Sequence, residues 1–122
     1  MRIYDRVMQF CEKCFYDEEY FICINLLKTL AMDKMNDKDM ANLYASLGEC
    51  FEAIGNSKTA LACYIIAREY NHFELYSYKE NLLRIKQDFT TKEYFRYINS
   101  KNFVYEELLK NNIPLVQIKK AS

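Results

Sequence analysis

The sequence contains little glycine, proline or tryptophan: two glycines, one proline and no tryptophan occur in 122 residues. A turn-rich β protein would need far more glycine and proline, so this scarcity favours a protein built from helices. Because Gly48 and Gly55 are the only glycines, no glycine-rich phosphate-binding loop can form. We therefore expect helices and no nucleotide site of that kind.

Long apolar runs are also missing. No stretch approaches the roughly 18–20 apolar residues that span a bilayer, and residues 1–5 lack the pattern of a secretory signal peptide. The five cysteines are an odd number and lie within periodic segments, which fits a reducing compartment. We expect no membrane association and an intracellular location, in the cytoplasm or the nucleus.

The sequence also lacks an excess of positive charge. The 17 Lys and Arg residues balance 17 Asp and Glu residues, for a net charge of 0, whereas nucleic-acid binders normally carry a strong positive field. Aromatic residues alternate with lysines towards the C-terminus, as on some RNA-binding surfaces, but no RNA-binding motif accompanies them. We expect no nucleic-acid partner.

What is present is helical periodicity, in a chain long enough for one domain. The predicted helices cover about residues 4–16, 19–33, 38–54, 57–70 and 75–89, followed by a short sixth helix from Thr90 and a seventh at 101–110. Gly55 is expected to end the third helix in the left-handed conformation. The expected N-caps are Asn36 or Asp37 for the third helix, Ser57 for the fourth, Thr90 with Glu93 for the sixth and Ser100 for the seventh.

The most informative motif crosses the third and fourth predicted helices. Its residues are Tyr44, Leu47, Gly48, Phe51, Ala60, Tyr64 and Ala67, with Gly55 at the turn between the helices. Small residues stand where the helices must approach closely, and large ones fill the gaps. This segment, residues 41–74, resembles a tetratricopeptide (TPR) repeat, although His72 stands where the family often has proline. The resemblance implies a helical hairpin that buries one face by stacking on a neighbour.

A weaker copy lies upstream, over residues 4–37. Moving the motif back by 37 positions places Val7, Phe10, Cys11, Cys14, Cys23, Leu27 and Leu30 on it. Cysteine then replaces the small glycine and alanine at two positions, which is reasonable because buried cysteine behaves as a small hydrophobe. The period exceeds the roughly 34 residues of this repeat, so the connecting loop should be longer.

No third copy follows. Moving the motif forward puts the bulky Leu82 and Tyr94 where small residues belong. The predicted fold is therefore all-α: antiparallel helical hairpins stacked as a short TPR-like solenoid, with capping helices over 75–111 and a tail over 112–122. Two repeats fall short of the three or so usually needed. The chain covers its own end, or dimerises, or begins a longer solenoid; the scaffold subunits of the anaphase-promoting complex have N-terminal repeats that resemble this arrangement and form homodimers.

The resemblance also implies a function, which is non-enzymatic protein–protein interaction. In TPR proteins the first helix of each unit faces a concave groove, which here would carry Met8, Glu12, Phe15, Tyr16, Asn42, Glu49 and Glu52. The family's carboxylate-clamping branch uses basic residues and asparagines there, whereas this groove offers acids. We therefore expect a basic or apolar peptide or helix as partner, in a homodimer or a larger complex, with no cofactor.

A rival hypothesis starts from Cys11 and Cys14, whose spacing is used by redox enzymes and zinc sites. A redox pair would need a preceding strand and a helix start, and zinc would need further ligands, of which His72 is the only histidine. Both cysteines lie on the apolar face of a predicted helix. Core packing is the favoured interpretation, and a metal- or thiol-dependent protein using Cys11, Cys14 and His72 is the alternative.

Overall fold

The computed structural model describes residues 2–33, 35–70 and 78–115. These residues form seven α-helices and one short 3₁₀ helix, and no strand occurs among them, so the predicted all-helical class is confirmed. The elements are α1 (Ile3–Tyr16), α2 (Tyr20–Leu30), α3 (Asp37–Ala53), α4 (Ser57–Tyr70), α5 (Tyr78–Ile85), the 3₁₀ helix (Lys86–Asp88), α6 (Thr91–Asn99) and α7 (Lys101–Lys110).

Most helix ends lie close to their predicted positions, and the fifth helix differs most. It was expected to begin at Leu75, which lies outside the described residues, and to reach Phe89. Instead α5 ends at Ile85 and tightens into the 3₁₀ helix. None of the helices in the described ranges is both long and apolar enough to cross a membrane.

Two of the predicted N-caps are confirmed. The Asn36 side chain accepts a hydrogen bond from the Asp39 N–H at 2.8 Å, and the Thr90 hydroxyl accepts one from the Glu93 N–H at 3.2 Å. Each bond satisfies one of the backbone donors that a helix start leaves unpaired. Residues 36 and 90 therefore set where α3 and α6 begin.

Of the other two predicted caps, Ser57 is wrong, and Ser100 occupies the N-cap position of α7 without capping it through its side chain. Asn56, not Ser57, caps α4, because its side chain accepts from the Thr59 N–H at 3.2 Å. Ser57 is already helical, and its hydroxyl donates to Asp88 at 2.7 Å. Ser100 precedes α7 but makes no side-chain cap hydrogen bond. The prediction at α4 is wrong by one residue, because Asn56 and Ser57 are adjacent and both residue types are common N-caps.

The turns after α1 and α3 have the same hydrogen bonding. Each places one residue in the left-handed region, Glu18 with φ 63° and Gly55 with φ 84°. In each turn the next residue donates its N–H to a carbonyl five positions back. These bonds join Glu19 to Cys14 at 2.7 Å and Asn56 to Phe51 at 2.8 Å. Both α1 and α3 therefore end in a Schellman motif, and glycine occupies the left-handed position only in the second.

Along the chain, each helix from α1 to α4 packs against the helix that follows it. The helix α4 also contacts α7, which in turn contacts α6. The helix at the centre is α4, because ten of its 14 residues are buried. This helix is apolar nearly all round, as expected for one surrounded by other helices. Every α-helix of the described ranges except α6 contributes buried residues to the hydrophobic core, which also includes Ile113.

The helices α3 and α4 approach each other closely at Gly48. A Cβ atom added at Gly48 would lie 2.6 Å from Cδ1 and 2.9 Å from Cζ of the fully buried Tyr64 ring. Only glycine allows this approach without a shift of the aromatic ring. Between α1 and α2, Cys11 occupies the position 37 residues before Gly48 and contacts Cys23, whose thiol donates to the Cys11 carbonyl at 3.5 Å.

A polar network buried beneath α7 attaches it to α4. The Thr59 hydroxyl donates to the Glu107 carboxylate at 3.3 Å, and the Asn111 side chain donates to both groups at 2.8 and 3.1 Å. Tyr44 adds a bond from its hydroxyl to the Pro114 carbonyl at 3.1 Å. Because these buried groups satisfy one another, they fix the position of α7 on the central helix.

Candidate protein-interaction groove

Two adjoining cavities lie on the face formed by α1, α3 and α5. The first has a volume of about 430 Å³ and the second about 360 Å³. Phe15 and Glu49 line both of them, so the two cavities form one surface, called the groove below. The first cavity is also lined by Asp5, Met8, Gln9, Cys11, Glu12, Cys23, Ser46 and Cys50, and the second by Glu52, Ala53, Asn81 and Arg84.

Five of the seven residues predicted from the sequence line this groove. They are Met8, Glu12, Phe15, Glu49 and Glu52. The other two lie elsewhere: the Tyr16 side chain is 88% exposed at the end of α1, and Asn42 lies beside Tyr4. The structure therefore brings most of the predicted set together, and their role in binding stays a prediction.

The first cavity is acidic and apolar. Three carboxylates line it, from Asp5, Glu12 and Glu49, and no lysine, arginine or histidine of the described residues does. Asp5 is compensated, because Arg2 bonds it at 3.0 Å and lowers the pKa of its carboxyl group. Glu12 is exposed and Glu49 is half-buried. A ligand entering this cavity meets apolar walls with an excess of negative charge.

Glu49 is the carboxylate shared by both cavities. Burial raises the pKa of its carboxyl group, although Asn81 and the nearby charge of Arg84 act in the opposite direction. Its contact with the Asn81 amide is long, at 3.5 Å. A half-buried carboxylate with so weak a hydrogen bond favours a cationic ligand, since a cation would compensate the charge where water does so incompletely.

Glu52 is in a different situation three residues further along α3. The Arg84 guanidinium donates to both of its carboxylate oxygens, at 2.7 and 2.8 Å, and the Tyr64 hydroxyl donates at 2.7 Å. Arg84 lowers the pKa of this carboxyl group. Glu52 therefore joins α3, α4 and α5, and it is not an open contact for a partner.

Sequence reasoning missed Arg84 and Asn81. Both residues lie on α5, beyond the recognised motif. Each is 32 positions from its partner on α3. The motif therefore does not predict the contacts between α3 and α5. A signal existed only in α5 itself, where Asn81 and Arg84 are three residues apart, so they lie on one helix face.

The rival hypothesis also uses His72, which lies outside the described residues. Cys11 and Cys14 are buried in the core, 3% and 7% exposed. Within the ranges that the structure describes, no group of three or more His, Cys, Asp and Glu side chains is arranged to hold a metal ion. The structure instead places Cys11 beside Cys23 and Cys50 on the wall of the first cavity.

Comparison with known proteins adds no relative. No protein-family model matches the sequence, and neither a curated protein nor a solved structure matches it.

Proposed function

We propose that this chain is a non-enzymatic protein-interaction module of the TPR type, which binds a basic or apolar peptide or helix in the groove. Its two hairpin units cover residues 4–37 and 41–74, and α5 to α7 cap the second unit. The observation that carries the proposal is the first cavity, where carboxylates and apolar side chains meet without a basic residue among those lining it.

The repeated geometry of the first four helices supports two stacked hairpin units. The Schellman turns at Glu18 and Gly55 are 37 positions apart, and so are the first residues of α2 and α4, Tyr20 and Ser57. Cys11, 37 positions before Gly48, also lies at a helix contact, although its partner Cys23 corresponds to Ala60 and not to Tyr64. Repeat proteins build extended concave surfaces from such units, and α1 and α3 both line the groove.

The chemistry of the groove supports a basic and apolar ligand. Met8 and Phe15 are partly buried and supply apolar surface, and a methionine side chain adapts to ligands of different shape. Glu12 and Glu49 supply negative charge, which attracts a cationic partner and fixes its orientation. An arginine or lysine within an apolar segment satisfies both features.

Self-association or assembly into a larger complex is part of the proposal. Large apolar side chains on α1 and α2 are exposed, including Ile3 (74%), Phe10 (52%) and Phe21 (67%). Exposed apolar surface of this kind is typical of protein contacts. An intracellular location agrees with five cysteines that are unpaired and buried. Sedimentation velocity on the purified chain tests the self-association: a monomer at all concentrations would contradict it.

A direct test of the function uses two fluorescently labelled helical peptides of equal apolar content, one bearing lysine and the other glutamate. We expect the lysine peptide to bind at least about tenfold more tightly in fluorescence anisotropy. Glu12→Lys combined with Glu49→Lys should remove this preference. Glu106→Lys is the matched control, because it reverses an exposed charge on α7 outside the groove.

The test leaves Glu52 unchanged because a lysine there would break the contacts with Arg84 and Tyr64. If neither peptide binds, or if the double charge reversal leaves the affinity of the lysine peptide unchanged, the proposed function is wrong. The rival is tested separately by elemental analysis with thiol counting. One equivalent of bound zinc would favour a metal-dependent protein using Cys11, Cys14 and His72.

A further inference from the structure

The groove wall contains a pair of thiols in direct contact. The Cys50 sulfur on α3 lies 3.3 Å from the Cys23 sulfur on α2, and both side chains line the first cavity. We infer that Cys23 and Cys50 form a site of oxidative modification, where a small peroxide entering the cavity joins them in a disulfide bond. The inference concerns these two thiols and does not depend on what the groove binds.

The geometry selects this pair among the five cysteines. A disulfide needs a sulfur–sulfur distance of about 2.05 Å, so the two atoms must approach by only about 1.2 Å. Cys11 is nearby, but its sulfur lies against the Cys23 carbonyl oxygen at 3.9 Å. Cys14 and Cys63 do not line the cavity, and Cys63 is fully buried in α4. Cys50 is therefore the pairing partner of Cys23.

The cavity supplies the space for the reaction. Its volume of about 430 Å³ is many times that of a peroxide molecule. One thiolate attacks hydrogen peroxide, breaking the O–O bond and forming a sulfenic acid, while the released hydroxide takes a proton to become water. The second thiol then attacks the sulfenic sulfur and displaces a second water. In total, two thiols lose two protons and two electrons, and one peroxide is reduced to two waters.

The reaction should be slow compared with that of an exposed thiolate. A hydrogen bond with Cys11 lowers the pKa of Cys23, but the contact from Cys50 and burial outweigh it and raise that pKa to about 12. Cys23 is therefore a neutral thiol at physiological pH, and the neutral form is a poor nucleophile. The site responds to sustained oxidation, and thiol–disulfide exchange with a small reductant reverses it.

The disulfide would connect two helices that line the groove. Cys23 and Cys50 are 27 positions apart, so the bond closes a loop across the connection from α2 to α3. Closing a loop of this size constrains the unfolded chain and stabilises the folded one. We therefore expect the oxidised protein to unfold at a higher temperature than the reduced protein.

Peptide mapping after peroxide treatment of the native full chain tests the inference. Trypsin places Cys50 in residues 39–58 and Cys23 in residues 14–28, together with Cys14. In Cys14→Ala, Cys23 is the only thiol of its peptide, so a disulfide between the two peptides identifies the pair. Fragment ions make the same assignment in the unaltered protein. We expect this linked product, two hydrogen masses lighter than the reduced peptides, to be the main one.

Two variants serve as controls. Cys50→Ala should abolish the product, and Cys63→Ala should leave it unchanged, because Cys63 does not line the cavity. The inference is overturned if Cys11 and Cys23 become linked instead, or if the two thiols are oxidised without a disulfide. It is also overturned if both stay reduced in the folded protein under conditions that oxidise them in urea.

Discussion

The α1–α2 pair and the α3–α4 pair share the hydrogen bonding of their turns but differ in what surrounds them. Leu47 on α3 is fully buried, whereas Phe10, its counterpart 37 positions earlier on α1, is 52% exposed. Only Cys11 and Cys14 are buried on α1, against nine residues on α3. The difference follows from position: α3 packs between α2 and α4, while among the described helices α1 packs chiefly on α2.

This comparison separates the features that each helix pair determines by itself from those that its neighbours determine. The turn recurs in both pairs because it depends on contacts within its own pair. Burial of the outer face depends on the neighbouring helices that pack against each pair. The sequence motif describes the local part, and the following predictions test how the two pairs differ.

The largest expected effect is at the helix crossing. Gly48→Val should lower the free energy of unfolding by about 3 kcal/mol, because the new side chain collides with the buried Tyr64 ring. Cys11→Ala, at the corresponding position of the first pair, should cost only about 1 kcal/mol, since it removes one small buried group. Urea unfolding followed by circular dichroism measures both. Equal losses would show that the two crossings are equally close.

The next effect concerns the link to α5, which only the second pair has. Arg84 lowers the pKa of Glu52 below its value in the unfolded chain, so this contribution is complete above the unfolded pKa and is lost as the pH falls through the folded one. Glu52→Gln should cost about 1–2 kcal/mol at neutral pH. The difference from the unaltered protein should shrink as the pH falls through the folded pKa of Glu52.

Unfolding measurements at neutral and acid pH check this prediction. Glu12→Gln is a suitable control, because Glu12 is an exposed carboxylate on the same groove. A cost of Glu52→Gln that stays the same across the pH range would contradict a role through its charge.

Substitutions at the left-handed residues of the two turns should have smaller effects on stability, and the two effects should be opposite in sign. Glu18 has φ 63°, a conformation that costs a residue with a side chain about 1 kcal/mol. Glu18→Gly should therefore stabilise the protein by about 0.5–1 kcal/mol, and Gly55→Ala should destabilise it by about 1 kcal/mol. Unfolding midpoints of the two variants decide the matter. Destabilisation by Glu18→Gly would mean that the glutamate side chain has a stabilising role of its own.

The smallest expected effect is at Glu49. Burial raises the pKa of this carboxyl group, so its charged form opposes folding above the folded pKa, and protonation relieves the cost as the pH falls. Glu49→Gln should stabilise the protein at neutral pH by less than about 1 kcal/mol, and the gain should shrink in acid. The sign is opposite to that at Glu52. A loss of stability on Glu49→Gln would contradict this prediction, because it would mean that the charged carboxylate stabilises the folded protein.

Much of the fold was predictable because its signals are local. Apolar spacing, the caps at Asn36 and Thr90 and the glycine at Gly55 each act within one helix or turn. The site was predictable in part for the same reason, since positions facing one way on α1 and α3 recur at helical spacing. Arg84 was not predictable, because its contact with Glu52 spans 32 positions and depends on how α5 packs.

The most direct test of the account observes the groove while the lysine-bearing helical peptide is added to protein with isotope-labelled methionine methyl groups. Met8 lines the first cavity, whereas Met40 is 1% exposed in the core and does not line the groove. If the groove is the binding surface, the Met8 methyl resonance shifts in proportion to bound peptide and the Met40 resonance stays in place. Binding that leaves Met8 unshifted, or no binding at all, would contradict the account.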